Sequence, residues 1–142
     1  MPDRPGGVGS RREARERALA LLYEAECKGS TGSEVLDEQP ADVQPYAVDL
    51  VRGVDEHRAD LDALLGRHAR GWTVERMPAI DRTLLRMASF ELLHRSDVPP
   101  NAVINEAVEL AKRYSTDDSG RFVNGILATI AAGARIKPSG TG

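Results

Sequence analysis

The segment from Ala79 to His94, AIDRTLLRMASFELLH, limits the possible folds more than any other part of this 142-residue sequence. Apolar residues occupy most of its positions and leave little polar face: Ile80, Leu84, Leu85, Met87, Ala88, Phe90, Leu92 and Leu93. A helix that is apolar nearly all round is usually buried at the centre of a helical protein. We therefore expect a central helix here, begun afresh after Pro78 and ended by the segment 97–100, DVPP.

Helical periodicity also appears on both sides of this segment. Apolar residues recur at three- and four-residue steps in four groups. The groups are Ala14, Ala18, Leu21, Leu22 and Ala25; Tyr46, Leu50, Val54, Leu61, Leu64 and Leu65; Val103, Ile104, Ala107, Val108 and Ala111; and Phe122, Val123, Ile126, Leu127 and Ile130. No segment shows sustained two-residue alternation, so we expect no sheet. The patterns predict an all-α protein, a compact helical bundle of about six or seven helices.

Capping residues and helix breakers suggest where these helices begin and end. Ser10 is a candidate cap for a first helix over residues 11–28, and Gly29 occupies the place of a C-terminal cap glycine. The stripe that opens near Pro45 is interpreted as one long helix that ends near Arg70.

Length and composition fit one domain. We expect residues 10–137 to form a single helical domain between a flexible, Pro- and Gly-rich arm (1–9) and a flexible tail (138–142). No apolar run reaches the about 18 residues of a membrane span, and the N-terminus has no signal-peptide pattern. The expected location is therefore the cytoplasm.

Charge is unevenly distributed along the chain, whose net charge is −3. Residues 1–23 contain five arginines against three acidic residues, a net charge of +2, which leaves −5 on the remainder. A basic end on an acidic body could bind a polyanion locally, or it could be a solvated helix face.

Residues with catalytic or metal-binding chemistry do not form a persuasive site. His57 and His68 would lie three helical turns apart, roughly 16 Å, which is too far for one metal to join them. Cys27 is the only cysteine and is interpreted as a small residue near a helix end. The cluster Asp117–Ser119 might suggest acid–base work, but these residue types are common helix caps. We expect no enzyme, no cofactor and no metal.

Three segments, in matching order and spacing over most of the chain, resemble the NusB family. Residues 103–127, VINEAVELAKRYSTDDSGRFVNGIL, are similar to its C-terminal signature: a helix INEAVELAK, a short acidic loop, then FVNGIL. Residues 11–26, RREARERALALLYEAE, resemble its arginine-rich opening helix, and residues 80–99, IDRTLLRMASFELLHRSDVP, resemble its central pattern.

The resemblance implies an all-α fold of two packed three-helix subdomains and a non-catalytic RNA-binding adaptor. Members of this family bind the boxA sequence of nascent ribosomal RNA together with NusE, a small-subunit ribosomal protein. They act in an antitermination complex with RNA polymerase and support its read-through of terminators.

For an RNA-binding member of this family, the candidate RNA-binding residues are Arg4 in the flexible arm and, within the matching segments, Arg11, Arg12, Arg15, Arg86, Asp118, Arg121 and Phe122. Guanidinium groups suit phosphate oxygens, and Arg12 and Arg15 are both expected to be exposed. Asp118 could accept a hydrogen bond from a base edge, and Phe122 could stack on an unpaired base or belong to the core. Asp81 resembles an acidic position that faces NusE, but a first-turn acid favoured by the helix dipole explains it equally well.

Two other classes of function remain open at this point. The chain could be a helical protein–protein interaction module without its own RNA specificity, with its arginines simply solvated. Helical domains of this kind also occur fused to RNA methyltransferases, but the sequence stops at Gly142 with no cofactor-binding domain, which argues against an enzyme. Monomer and homodimer cannot be distinguished, because apolar stripes look alike in both.

Overall fold

A computed structural model describes residues 8–39 and 41–136 of the chain. Within these residues there are seven α-helices, one short 3-10 helix and no strand, so the predicted all-α fold is confirmed. The expected tail (138–142) and most of the expected arm (1–9) lie outside the described residues. The elements are α1 (Val8–Lys28), α2 (Gly32–Asp37), α3 (Pro45–Glu56), α4 (Arg58–His68), the 3-10 helix (Val74–Arg76), α5 (Ala79–His94), α6 (Pro100–Tyr114) and α7 (Asp117–Ile136).

The chain divides into two compact units, Met1–His57 and Arg58–Gly142. In the first unit, α1 packs along α3, and α2 packs against both. The buried apolar side chains of this unit come from all three helices: Ala14, Ala18, Leu19, Leu21, Leu22, Ala25, Val35, Leu36, Ala47, Leu50, Val51 and Val54. The apolar stripe read from α1 is therefore its packed face.

A glycine in a left-handed conformation ends α1, as predicted. Gly29 has a φ of 67°, a value that side chains with a Cβ rarely adopt. The N–H of Ser30 donates to the carbonyl of Ala25 at 2.9 Å, which satisfies one of the last carbonyls of the helix. At the other end, α1 begins at Val8, so Ser10 lies inside its first turn and not at the predicted position before the helix.

The single long helix predicted from Pro45 to Arg70 is wrong, because His57 separates α3 from α4. His57 has φ −106° and ψ 18°, outside the helical range. None of residues 55–60 is buried, so no packed side chain holds one continuous helix in register across this polar stretch. An interruption of one residue there breaks few contacts.

In the second unit, α5 packs against α4, α6 and α7, and α6 packs along α7. α5 runs over the predicted residues and is buried on nearly all sides, including five polar positions: Asp81, Thr83, Arg86, Ser89 and Glu91. Its apolar core partners on the neighbouring helices include Leu61, Leu65, Val103, Ala107, Leu110, Ala111, Val123, Ile126, Leu127 and Ile130. The prediction of a central buried helix is confirmed within this unit.

Only two residues, Ser115 and Thr116, separate α6 from α7. The N–H of Ser119 donates to the side-chain oxygen of Thr116 at 2.9 Å, which is the bond that caps α7. The residues expected to provide this cap, Asp117–Ser119, form the first turn of the helix instead.

Candidate functional site

An open cleft of about 230 Å³ lies in the second unit, where the start of α7 approaches the segment that leads into α5. It is lined by Trp72, Pro78, Asp81, Thr116, Asp118, Ser119 and Phe122. An apolar cavity of about 150 Å³ is large enough to hold benzene. The cleft can therefore accommodate one planar ring system.

Two aromatic rings form the walls of this cleft. Trp72 lies beyond the end of α4, after Gly71, whose φ of 77° turns the chain. The ring centroids of Trp72 and Phe122 are 5.8 Å apart, with an angle of 63° between the planes. Trp72 is 48% exposed and Phe122 is half-buried, so Phe122 belongs to the cleft wall and not to the core.

The two buried residues among the lining, Asp81 and Ser119, form the floor of the cleft. Ser119 Oγ is 2.8 Å from Asp81 Oδ2, 2.9 Å from Ser115 Oγ and 3.1 Å from Thr116 Oγ1. A hydroxyl has one proton to donate. Ser119 therefore donates to the Asp81 carboxylate and accepts from the hydroxyls of Ser115 and Thr116.

The two carboxylate oxygens of Asp81 differ in their hydrogen bonding, since only Oδ2 accepts a hydrogen bond from Ser119. Asp81 Oδ1 is buried and has no hydrogen-bond partner among the described residues, while the residue as a whole is only 2% exposed. A buried polar atom without a partner is costly and uncommon in native proteins. Asp81 lines the cleft rather than the exposed outer surface, and its contact with a protein partner stays a prediction.

Asp118 lines the cleft, and both Asp118 and Arg121 are exposed in the first turns of α7. Their side chains form an ion pair with each other. Exposed pairs of this kind contribute only about 0–1 kcal/mol. A ligand that offered a better partner to either side chain would therefore displace this contact at little cost.

Arg86, predicted as an RNA contact, occupies a different environment. It is 6% exposed, and its guanidinium group donates to both carboxylate oxygens of Asp62. A buried and doubly bonded guanidinium is not presented to a ligand on the surface. The structure gives Arg86 a role in joining α5 to α4, and its contact with RNA stays a prediction.

In the first unit, the predicted arginines of α1 differ in exposure. Arg12 is exposed and Arg11 is half-buried, with its guanidinium 4.6 Å from the centre of the Tyr46 ring. Arg15 is only 5% exposed and lies 5.8 Å from the same ring, so the expectation that it is exposed was wrong. Arg4 lies outside the described residues.

The sequence interpretation missed Trp72 and Ser119 as members of a site. Ser119 is predicted only as part of a helix cap. A single tryptophan in the short link Gly-Trp-Thr between two helices was the one available signal. The pairing of Ser119 with Asp81 joins positions 38 residues apart, and no local pattern shows it.

No group of three or more His, Cys, Asp or Glu side chains is placed to hold a metal within the part of the chain that the structure describes. The described helices also include none with the length and apolar character needed to cross a membrane.

The fold and the cleft together define a class: small all-helical proteins with an open, aromatic-walled cleft. The family model for the NusB family matches residues 12–132, so the chain belongs to the NusB family. This is a family of non-enzymatic RNA-binding transcription factors. The family resemblance found in the sequence is confirmed.

Solved structures of NusB proteins are similar to this chain. NusB from T. maritima matches with a TM-score of 0.77 and 36% identity, over 86% of this chain and 90% of that one. The solution structure of NusB from Aquifex aeolicus matches with a TM-score of 0.74 and 29% identity, over 93% of both chains. A chain in the crystal structure of antitermination factors NusB and NusE with dsRNA matches with a TM-score of 0.77 and 27% identity, over 89% of this chain and 99% of that one.

Proposed function

We propose that this protein is a transcription antitermination factor that binds the boxA RNA of nascent ribosomal RNA transcripts together with NusE. It thereby supports read-through by RNA polymerase, acts in the cytoplasm and catalyses no reaction. The observation that carries the proposal is the family match over residues 12–132, which includes the helix start where the cleft lies. The similar NusB chain found with NusE and dsRNA supports both proposed partners.

The cleft supplies contacts suited to an unpaired base. Phe122 is half-buried in the cleft wall, which leaves part of its ring free to stack. Stacking of a base on an aromatic side chain contributes about 1–3 kcal/mol and occurs with any base. Asp118, exposed at the rim, accepts a hydrogen bond from a base edge, and Arg121 beside it binds a phosphate.

The first helix supplies phosphate contacts in the first unit. Arg12 is exposed and Arg11 is half-buried on consecutive positions of α1, and arginine binds phosphate oxygens through its planar fork. Arg4 is a further proposed contact. Each phosphate neutralised on a single strand contributes about −0.7 to the slope of log affinity against log salt concentration.

The test is a titration of labelled, single-stranded boxA-like RNA with the protein, with and without NusE. A scrambled RNA of equal length is the control. We expect tighter binding to the boxA-like RNA, strengthened by NusE. With three or four phosphate contacts, affinity should fall roughly 20- to 50-fold between 50 and 200 mM salt. Equal binding of both RNAs in both conditions would leave the alternative, a helical protein–protein interaction module without its own RNA specificity.

A further inference from the structure

We propose that the cleft holds one unpaired base that carries an exocyclic amino group, and that the buried carboxylate of Asp81 selects this base by accepting a hydrogen bond from that group. Trp72 is the second aromatic wall, which the base meets either face-on or with its edge. This inference rests on the proposed function, because it assumes that the ligand is single-stranded RNA. It assigns to Trp72 and Asp81 a part in choosing which base enters.

The geometry of the two rings suits a single flat ligand. Trp72 and Phe122 meet edge to face, with 5.8 Å between centroids and 63° between planes. A base that stacks on one ring therefore presents its edge towards the other. Nearly half of Trp72 is exposed beside a cleft of about 230 Å³, so an indole surface remains uncovered by the described protein.

The floor of the cleft offers an acceptor whose orientation is already fixed. Ser119 Oγ donates to Asp81 Oδ2 at 2.8 Å and so holds the carboxylate in place. Asp81 Oδ1 then remains buried without a partner among the described residues. An amino group of a bound base would supply the missing hydrogen bond, and a hydrogen bond to a charged group is stronger than one between neutral groups.

The same hydrogen-bond network disfavours a base that presents a carbonyl oxygen, because such a base needs a donor from the floor of the cleft. The hydroxyl proton of Ser119 is committed to Asp81, and that of Thr116 is committed to Ser119. The floor therefore presents an acceptor, with neither hydroxyl left to donate to a carbonyl oxygen. Adenine, cytosine and guanine carry amino groups, whereas the edge of uracil places carbonyl oxygens around a single N–H. The cleft should therefore bind uracil less tightly than the other three bases.

The first arm of the test uses tryptophan fluorescence. Trp72 is the only tryptophan of the chain, so all indole emission comes from the cleft. The boxA-like RNA is titrated into the protein while Trp72 emission and the anisotropy of a label on the RNA are both recorded. We expect the emission to be quenched with the same midpoint as the anisotropy change.

The second arm of the test removes the exocyclic amino groups of the RNA bases one at a time. In each RNA of a series, one adenosine is replaced by purine riboside, one guanosine by inosine, or one cytidine by uridine. We expect one position at which this replacement weakens binding about tenfold or more, as the loss of a hydrogen bond to a charged group does. The variant Asp81→Asn should lose most of this discrimination, because its amide no longer provides the fixed charged acceptor.

Asp117→Asn is the matched control, since it removes the same charge from an exposed neighbour that does not line the cleft. It should keep the full discrimination of the unsubstituted protein. Circular dichroism checks the fold of both variants. The fluorescence titration and the amino-removal series on the unsubstituted protein remain valid tests even if Asp81→Asn does not fold. If the RNA binds with sequence preference but Trp72 emission is unchanged, or no position responds to amino removal, this inference is overturned while the antitermination function stands. If the wild-type protein shows no preference for the boxA-like RNA, the proposed function itself fails.

Discussion

Arg86 on α5 donates two hydrogen bonds to the carboxylate of Asp62 on α4, from Nε to Oδ1 at 2.7 Å and from Nη2 to Oδ2 at 3.0 Å. The arginine is buried, while the Asp62 side chain is 31% exposed. The planar fork of arginine matches a carboxylate in this two-point geometry, and lysine does not. The pair fixes the packing of α4 against α5 within the second unit.

Replacing Asp62 with Ala should destabilise the fold by about 1–3 kcal/mol, because a buried guanidinium loses its hydrogen bonds while some water still reaches it. Urea unfolding followed by circular dichroism measures the loss. Arg58 Nε lies 3.5 Å from Asp62 in an exposed pair, so Arg58→Ala is the matched control and should cost under about 1 kcal/mol. Equal effects of the two substitutions would show that the Arg86 pair carries no special stability.

Gly32 lets α2 approach the other helices of the first unit. A Cβ at this position would lie 2.6 Å from Leu22 Cδ2 and 2.9 Å from Val51 Cγ1, both of which are buried. We expect Gly32→Ala to destabilise the fold by about 1–3 kcal/mol through overpacking. A Cβ at Gly66 in α4 would meet nothing within 4 Å, so Gly66→Ala should instead stabilise by about 0.5–1 kcal/mol. Thermal unfolding of the two variants should show shifts of opposite sign, and shifts of the same sign would contradict the packing argument.

Leu85 is fully buried in α5. We expect Leu85→Ala to cost about 2–5 kcal/mol, because the removed methyl groups leave a cavity in the core. Leu93 at the far end of the same helix is 45% exposed, so Leu93→Ala is a control of the same chemistry and should cost far less. A loss well under about 1 kcal/mol at Leu85 would contradict the central position of this helix.

The sequence predicted α5 well because its limits are set locally, by Pro78 at one end and by the DVPP segment at the other. The break at His57 was missed because it depends on the absence of packed side chains over residues 55–60, which periodicity alone does not show. Phe122 and Asp118 were found through the family signature, whereas Trp72 joins them only through the fold.

The environments of Arg15 and Arg86 could not be predicted from the sequence either. Sequence gives the residue type and the helix, but burial depends on partners far away in the chain. Arg15 lies near the ring of Tyr46, 31 positions later, and Arg86 finds Asp62 in another helix. Both guanidinium groups are therefore buried, which the sequence does not show.

Arg12 and Arg15 should now respond differently to replacement by Ala. Arg12→Ala should weaken RNA binding and make the salt slope less steep by about 0.7, because one exposed phosphate contact is removed. The unfolding midpoint of Arg12→Ala should change little, because interactions of an exposed arginine contribute only about 0–1 kcal/mol. Arg15→Ala should lower the unfolding midpoint, because a buried side chain loses its packing against Tyr46. RNA titrations at several salt concentrations, with thermal unfolding alongside, separate the two effects. An unchanged salt slope for Arg12→Ala would remove that residue from the proposed RNA contacts.

The two-residue link between α6 and α7 bears on the order in which the chain folds. Two helices that pack along each other and are neighbours in sequence form contacts of low sequence separation, which close quickly during folding. Thr116, Asp118, Ser119 and Phe122 all belong to this hairpin, whereas Trp72 and Asp81 must arrive from earlier in the chain. One side of the cleft is therefore expected to form early in refolding, and the cleft becomes complete only when α5 and the link before it dock on the hairpin.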